Sequence, residues 1–344
     1  MYAKTQMIQV LELHRGYDLP EKDRHEGTVP VISSAGYSGS HDQYKCEGEN
    51  VITGRYGTIG EVFYHEGKCW PLNTALYVSN FKGNYPRYVY YLLKYVLKSA
   101  TDGKDKSTVP GVDRNVLHQM NIPFCEEIRT QKEMVRILVD IDKKIETNIK
   151  INDNLAQQAQ LLFDFMFQDI SGSKHIGDFI VPQRGTALLS KDAIPGDVPV
   201  VAGGLEPATY HNAANTVAPV ITISSSGANA GFVNLWGVPV WSSDSSFIDF
   251  KMTPYVYFWY ALLKRYQNNI YKIQTGSAQP HIYPSHVASL PVCDLNFEKV
   301  ADYTEQVTPL FALISKNYKE SNQLRALRDW LLPMLMNGQA TISD

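Results

Sequence analysis

Residues 134–166 read MVRILVDIDKKIETNIKINDNLAQQAQLLFDFM, and residues 303–335 read YTEQVTPLFALISKNYKESNQLRALRDWLLPML. In the first stretch Met134, Leu138, Ile141, Ile145, Asn148, Asn152, Leu155, Ala159, Leu162 and Met166 follow a 4-3-4-3 spacing. Adding 169 to each number gives Tyr303, Val307, Leu310, Ile314, Asn317, Ser321, Leu324, Arg328, Leu331 and Leu335. Both stripes are mostly apolar and both turn polar in the middle. A narrow stripe of this period is the seam of a helix packed on another long helix. Ordinary core packing is the plainer reading of one such stripe. Here the stripe lasts roughly five heptads, and its polar break falls at the same place in both copies. If the helices run antiparallel, Asn148 and Asn152 face Asn317 and Ser321, which costs stability and fixes register. A helix over 134–166 is about 50 Å long. Pro309, Pro333 and Arg328 predict a second helix less regular than the first, kinked or restarted at Pro309.

The 169-residue period extends into the globular parts. Val29-Pro30-Val31 matches Val198-Pro199-Val200, and Trp70-Pro71-Leu72-Asn73 matches Trp241-Ser242-Ser243-Asp244. Leu92-Leu93-Lys94 matches Leu262-Leu263-Lys264, Val109-Pro110 lies opposite Gln279-Pro280, and Ile122-Pro123 lies opposite Leu290-Pro291. Four segments result: a domain over 1–125, a central spacer helix over 126–169, a second domain over 170–294 and a distal spacer helix over 295–344. Residues 1–125 alternate short β-branched and aromatic runs with Gly-containing turns, the pattern of a sheet-rich domain. One internal helix is expected near 87–98, with Val89, Leu92, Leu93 and Val96 inward, and its counterpart near 255–266. The fold class is α+β: two β-rich domains joined by two long antiparallel coiled-coil helices, with a pseudo-twofold internal repeat. Such a chain is suited to reading two things a fixed distance apart. The globular halves have drifted further than the helices, as expected if the helices share one job while the domains recognise different things.

Composition narrows the function. The chain has 344 residues, enough for two ordinary domains. No apolar run approaches a membrane span, and the first residues lack the order of a signal peptide. Cys46, Cys69, Cys125 and Cys293 are far apart with no CxxC pair, so they read as reduced, mostly buried thiols of a cytoplasmic protein and not as a disulfide framework or a zinc site. No metal centre is expected. The net charge is -3, with 14 Lys+Arg against 13 Asp+Glu in 1–125 and 7 against 7 in 170–294. A protein gripping phosphate alone is usually basic, so if these domains read nucleic acid, local patches or a partner must share the grip. No phosphate loop, dinucleotide fingerprint, HExxH or nucleophile elbow occurs.

Three segments carry candidate contacts. In 50–62 a strand, a Gly-rich turn and a strand follow one another, with Arg55, Tyr56 and Thr58 at the tip. Arg55 there can reach phosphate or a guanine edge, and Thr58 can support it; an exposed Arg on a plain hairpin is the alternative. The second copy, 223–233, keeps the glycines, loses the Arg and offers Ser225, Ser226 and Asn229, the last suited to an adenine edge. The polar loop 104–114 carries Lys104, Lys106, Ser107 and Arg114. Its counterpart 272–281 carries Lys272, Gln274, Thr275, Ser277 and Gln279. Each reads as a groove-contacting loop or as a flexible connection. Finally, Arg15-Gly16 recurs one period later as Arg184-Gly185, which points to a shared phosphate or backbone role.

These residues resemble the specificity (S) subunit family of type I restriction-modification systems. The resemblance rests on 54–60 (GRYGTIG), 70–78 (WPLNTALYV), Tyr90-Tyr91-Leu92-Leu93, 109–114 (VPGVDR), Ile122-Pro123 and the helix from Gln131 through Asn148. It covers essentially the whole chain, closely in the first half and mainly by architecture in the second. It implies two target-recognition domains, each reading one half of a split sequence in double-stranded DNA. The helices would set the half-site separation and bind two methyltransferase (M) subunits that use S-adenosylmethionine. Restriction (R) subunits using ATP and Mg would join. The S subunit itself would hold no cofactor and catalyse nothing. Two other readings stay open: a coiled-coil adaptor with β-rich protein- or glycan-binding modules, and a self-contained nuclease or methyltransferase.

Overall fold

The computed structural model describes residues 2–55, 60–102, 113–276 and 279–340. Cα proximity divides the chain into two compact units, Met1–Ile145 with Gln323–Asp344, and Glu146–Asn322.

In the first unit a four-stranded antiparallel sheet runs in the order Glu12–Arg15, Ala75–Asn80, Glu49–Gly54, Val62–Glu66. A three-stranded sheet sets Val29–Ser33 between antiparallel Gly36–His41 and parallel Trp70–Pro71. A third pair joins Tyr2–Gln6 to Asn121–Cys125. Strand Glu49–Gly54 is buried from Asn50 through Gly54 without alternation, because neighbours cover both its faces. Helix Pro86–Asp102 lays Val89, Leu92, Leu93, Val96 and Leu97 into the core. That core also takes Met134, Val135 and Leu138 from the central helix, and Leu332, Leu335 and Met336 from the distal helix. Gln131 is fully buried and fully used: its amide donates to Asn84 Oδ1 and Cys125 O, and its Oε1 accepts from Tyr85 N. A buried amide satisfied on both ends ties the start of the central helix to the domain. Further along, Arg328 pairs with Asp142 at 2.8 Å, and Tyr91 Oη donates to the same carboxylate at 2.6 Å.

The second unit repeats this topology. Its four-stranded sheet runs Gln183–Arg184, Ser245–Asp249, Val220–Ser224, Val233–Trp236. Its three-stranded sheet sets Val198–Val201 between antiparallel Thr209–His211 and parallel Trp241–Ser242. Lys174–His175 pairs with Pro291–Val292. Helix Val256–Arg265 supplies Phe258, Trp259 and Leu262 to a core that includes Phe163 of the central helix, Phe167 just after it, and Tyr303 and Val307 of the distal helix. Arg265 donates to the carbonyls of Phe167 and Gln168 just beyond the last turn of the central helix, where helix carbonyls lack partners.

The central helix spans Ile128–Met166 and the distal helix Phe297–Met336; the division between the units passes through both. They pair antiparallel. In the second unit Asn148 Nδ2 donates to Ser321 Oγ at 3.2 Å and to Glu320 Oε2 at 2.8 Å, and Asn317 Nδ2 donates to Asn152 Oδ1 at 2.9 Å. Asn148, Asn317 and Ser321 are buried, as are Ile145 and Val307. Ile141 and Leu138 are buried in the first unit, while Leu155, Leu310, Ile314 and Leu324 are half-buried along the stripe. The distal helix does not restart: it is continuous through Pro309 and Pro333. Pro309 and the residue whose carbonyl it releases, Glu305, are both exposed, so solvent can take up the lost bond. Arg328 does not weaken the seam, because Asp142 and Asp329 pair with it. No helix among the described residues is long and apolar enough to cross a membrane.

Candidate functional site

Each unit gathers its candidate contacts around one turn, the turn that follows the short strand starting at Trp70 or Trp241. In the first unit Gly16 N donates to Ala75 O at 3.1 Å and Tyr17 N to Pro71 O at 2.8 Å. In the second, Gly185 N donates to Ser245 O at 2.8 Å and Thr186 N to Ser242 O at 2.9 Å. A Cβ on Gly16 would lie 2.2 Å from Leu72 O, and one on Gly185 2.4 Å from Ser242 O. No side chain fits there, which explains why the Arg-Gly pair survives while its surroundings drift. The arginines reach the same turn. Arg15 Nε donates to Asn73 O at 3.2 Å, and Arg184 forms an ion pair with Asp244 at 2.9 Å. Both are exposed.

The Gly-rich hairpins close on this turn from the other side. Arg55 N donates to Thr74 O at 3.1 Å, and Ser225 N donates to Asp244 O at 3.1 Å. The counterpart of Arg55 is therefore Ser225, at a spacing of 170, and not Asn229. The change in spacing marks a turn one residue shorter in the second unit, where Asp244 stands in for both Asn73 and Thr74. The chemistry differs accordingly. Asn73 Nδ2 donates to Asp18 Oδ1 at 2.6 Å, and among the described residues the first turn offers Arg15 a neutral carbonyl. Asp244 offers a carboxylate that Arg184 and the Ser226 hydroxyl share. The first turn thus leaves Arg15 its charge at the surface, and the second neutralises Arg184.

In the second unit the structure brings the two candidate loops together. Gly227 N donates to Pro280 O, Ile282 N to Ser225 O, and Gln274 Nε2 to Ala230 O at 2.7 Å. Lys272, Thr275 and Gln279 are exposed; Ser226 and Asn229 are half-buried. Two of the expected contacts point elsewhere. Ser225 is buried, and the Gln274 amide is spent on a backbone carbonyl. In the first unit Arg114 is exposed at the start of helix Arg114–Gln119, capped by Asp113. Its charge, after burial, holds the imidazole of His118 below its usual range, and His118 Nε2 accepts from Leu13 N. Tyr56, Thr58, Lys104, Lys106, Ser107 and Ser277 lie outside the described residues.

Two features of the site do not show in the sequence pattern. Asp244 and Asn73 stand there only as landmarks of the repeat, although Asp244 is the point where the arginine and the hairpin meet. Lys45 lies 4.8 Å from the Trp70 ring centroid and 5.3 Å from that of Tyr17, an exposed cation held over aromatic faces. His25, His41 and Asp42 lie close enough to suggest a cation site. The repeat argues for packing instead. His41 Nδ1 accepts from His25 N and its ring meets Trp70 edge-on, while His211 Nδ1 accepts from Ile194 N and its ring meets Trp241 edge-on. In both copies the imidazole Nδ1 is taken up by a backbone N–H.

Residues 4–157 match the family described as Type I restriction modification DNA specificity domain. The crystal structure of the type I restriction-modification system S subunit from M. genitalium is similar to this chain at TM-score 0.60 and 18% identity, over 100% of this chain and 97% of that one. Two others superpose less well. A structure described as the basis of complex assembly and conformational transition of the type I R-M system gives TM-score 0.41 at 12% identity, covering 99% of this chain and 98% of that one. The HsdS subunit from Thermoanaerobacter tengcongensis gives 0.35 at 12%, covering 98% and 97%. No curated protein matches the chain. At such identities the likeness to solved structures is one of fold, and in the M. genitalium structure it runs from end to end.

Proposed function

We propose that this chain, whose residues 4–157 match the Type I restriction modification DNA specificity domain, is a specificity subunit that reads a split, asymmetric DNA target and holds two methyltransferase subunits. One observation carries this reading: two units share a topology strand for strand, yet build the same turn from different chemistry. Equivalent turns would meet DNA in equivalent ways. Arg15 and Arg55 in one, and Arg184, Ser226 and Asn229 in the other, would then select different bases. Exposed Arg114, Lys272, Thr275 and Gln279 would flank them on phosphate. The paired helices would hold the two readers at a set separation, their polar centre fixing the register.

The scaffolding role rests on a second duplicated feature. Leu161 on the central helix is 68% exposed, and Trp330, one period of 169 later, is 57% exposed. Phe165 and Leu327, which are not counterparts in the repeat, lie within a turn of them, at 74% and 43%. Large apolar side chains in the open at matching positions of a repeat suit two copies of one partner. Partners that clamp DNA would also supply the phosphate contacts that a chain of net charge -3 lacks. S-adenosylmethionine would sit in the methyltransferase subunits, and ATP with Mg in any restriction subunit. The chain itself would catalyse nothing.

The test is to mix the purified chain with the methyltransferase subunit of its system. Two copies should bind, and sequence-selective DNA binding should rise. Leu161→Glu and Trp330→Glu should each cut the complex to one copy. Absence of a complex, with no gain in selectivity, would favour a coiled-coil adaptor unrelated to DNA; methylation by the chain alone would make it an enzyme.

A further inference from the structure

Cys46 and Cys69 face each other across an isolated antiparallel pair. Cys46 N donates to Cys69 O at 3.1 Å, and Cys69 N donates to Cys46 O at 2.9 Å. Residues that exchange both bonds have Cα atoms about 5.5 Å apart, inside the span of roughly 4.4–6.8 Å that a disulfide bridges. Both are free thiols. Cys69 is buried and Cys46 half-buried, so Cys46 is the more accessible of the two.

The repeat shows that this crossing does not need sulfur. Lys45 N donates to Cys69 O at 3.0 Å, and in the second unit Asn215 N donates to Val240 O at 3.2 Å. Thr216 then stands where Cys46 stands. Its hydroxyl accepts from Val240 N at 3.0 Å and donates to Val240 O at 2.8 Å. The second unit therefore closes the crossing with a hydroxyl and a valine, which nothing in a cell oxidises readily. The first unit places two thiols there, weak hydrogen-bonding groups whose distinctive property is oxidation.

We propose that Cys46 and Cys69 are a modification site, a dithiol that low-molecular-weight disulfides convert reversibly to an intramolecular disulfide, in the first unit only. Cys46 attacks first. The hydrogen bond from Cys69 holds its thiol below the usual range, while the same bond and burial push Cys69 up. The Cys46 thiolate displaces one thiolate from the small disulfide, RSSR, and forms a mixed disulfide. Cys69 loses its proton, attacks Cys46 Sγ and expels the second thiolate. Two protein thiols and RSSR give one protein disulfide and two RSH; the two electrons pass to RSSR. The chain between the cysteines comprises strands Glu49–Gly54 and Val62–Glu66, the hairpin that carries Arg55. The bond staples the base of that hairpin. Any effect on DNA reading rests on the function proposed above; the bond itself does not.

The experiment treats the full-length chain, with Cys125→Ser and Cys293→Ser, with excess oxidised glutathione. The expected product has lost two hydrogen atoms, carries no glutathione, maps as a 46–69 linked peptide and reverts with dithiothreitol. A lasting glutathione adduct with Cys69 still titratable after unfolding would overturn the proposal, as would no change in mass. If the serine variant does not fold, non-reducing peptide mapping of the natural chain gives the same answer. Cys69→Val should trap glutathione on Cys46, and failure to trap it would remove Cys46 as the attacking thiol. In a DNA-binding arm, selective binding should differ reversibly between the two forms. Loss of selectivity in both forms would count against the DNA reading and leave the mass result standing.

Discussion

Gly16 and Gly185 are held by what lies across from them. A methyl group at either would sit well inside contact distance of a carbonyl oxygen in the adjoining turn. Backbone cannot yield there without losing the bonds that Gly16 and Gly185 donate. Gly16→Ala and Gly185→Ala should each destabilise their own unit by about 2–4 kcal/mol, read as a drop in one melting transition. Arg55 predicts the opposite pattern. Its backbone N–H holds the turn whatever the side chain, so Arg55→Ala should keep the melting temperature. It should weaken binding to specific DNA by about 1–3 kcal/mol, roughly 5- to 150-fold, as measured by titration; unchanged binding would remove it from the contacts. At this scale the sequence was half legible. The Arg-Gly pair stood out because it recurs, but its glycine is explained by a carbonyl more than fifty positions away, which no local pattern contains. Ser225 looked like a surface hydroxyl and is buried, because its backbone was called on to pair with Asp244 and Ile282.

The long helices were legible as elements because their stripes have one period and one polar break. Asn148 is wholly buried; its amide nitrogen bonds Ser321 and Glu320, while its Oδ1 has no hydrogen-bond partner. An orphaned buried oxygen costs about 1–3 kcal/mol. Asn148→Leu removes that penalty along with two hydrogen bonds, so stability should hold or rise by on the order of 1 kcal/mol. What should suffer is register. Cysteine pairs placed across the seam should then cross-link in more than one alignment, where the natural chain allows one. A single alignment in the variant would show that the apolar seam alone sets register. Judged only by the bond it removes, Pro309 predicts a break, yet the helix does not restart there. The exposed face on which that loss falls is decided by the partner helix, and the local sequence does not give it.

The whole molecule repeats a frame and varies what the frame presents. Strand order recurs sheet by sheet, and the His-on-Trp packing recurs with it. Arg15 beside Asn73 becomes Arg184 beside Asp244, Arg55 becomes Ser225, and the thiol crossing becomes a threonine crossing. The frame was legible because duplication doubles every weak signal. The turn at Asp244 was not, since one missing residue there shifts the spacing from 171 to 170 and blurs the match where function concentrates. The central claim is that two different readers share one frame. It is tested most directly by selecting bound sequences from random duplex DNA with the chain and its methyltransferase subunits. The account predicts two unlike half-sites at one fixed separation. A single contiguous motif, a palindrome, or no enrichment would contradict it.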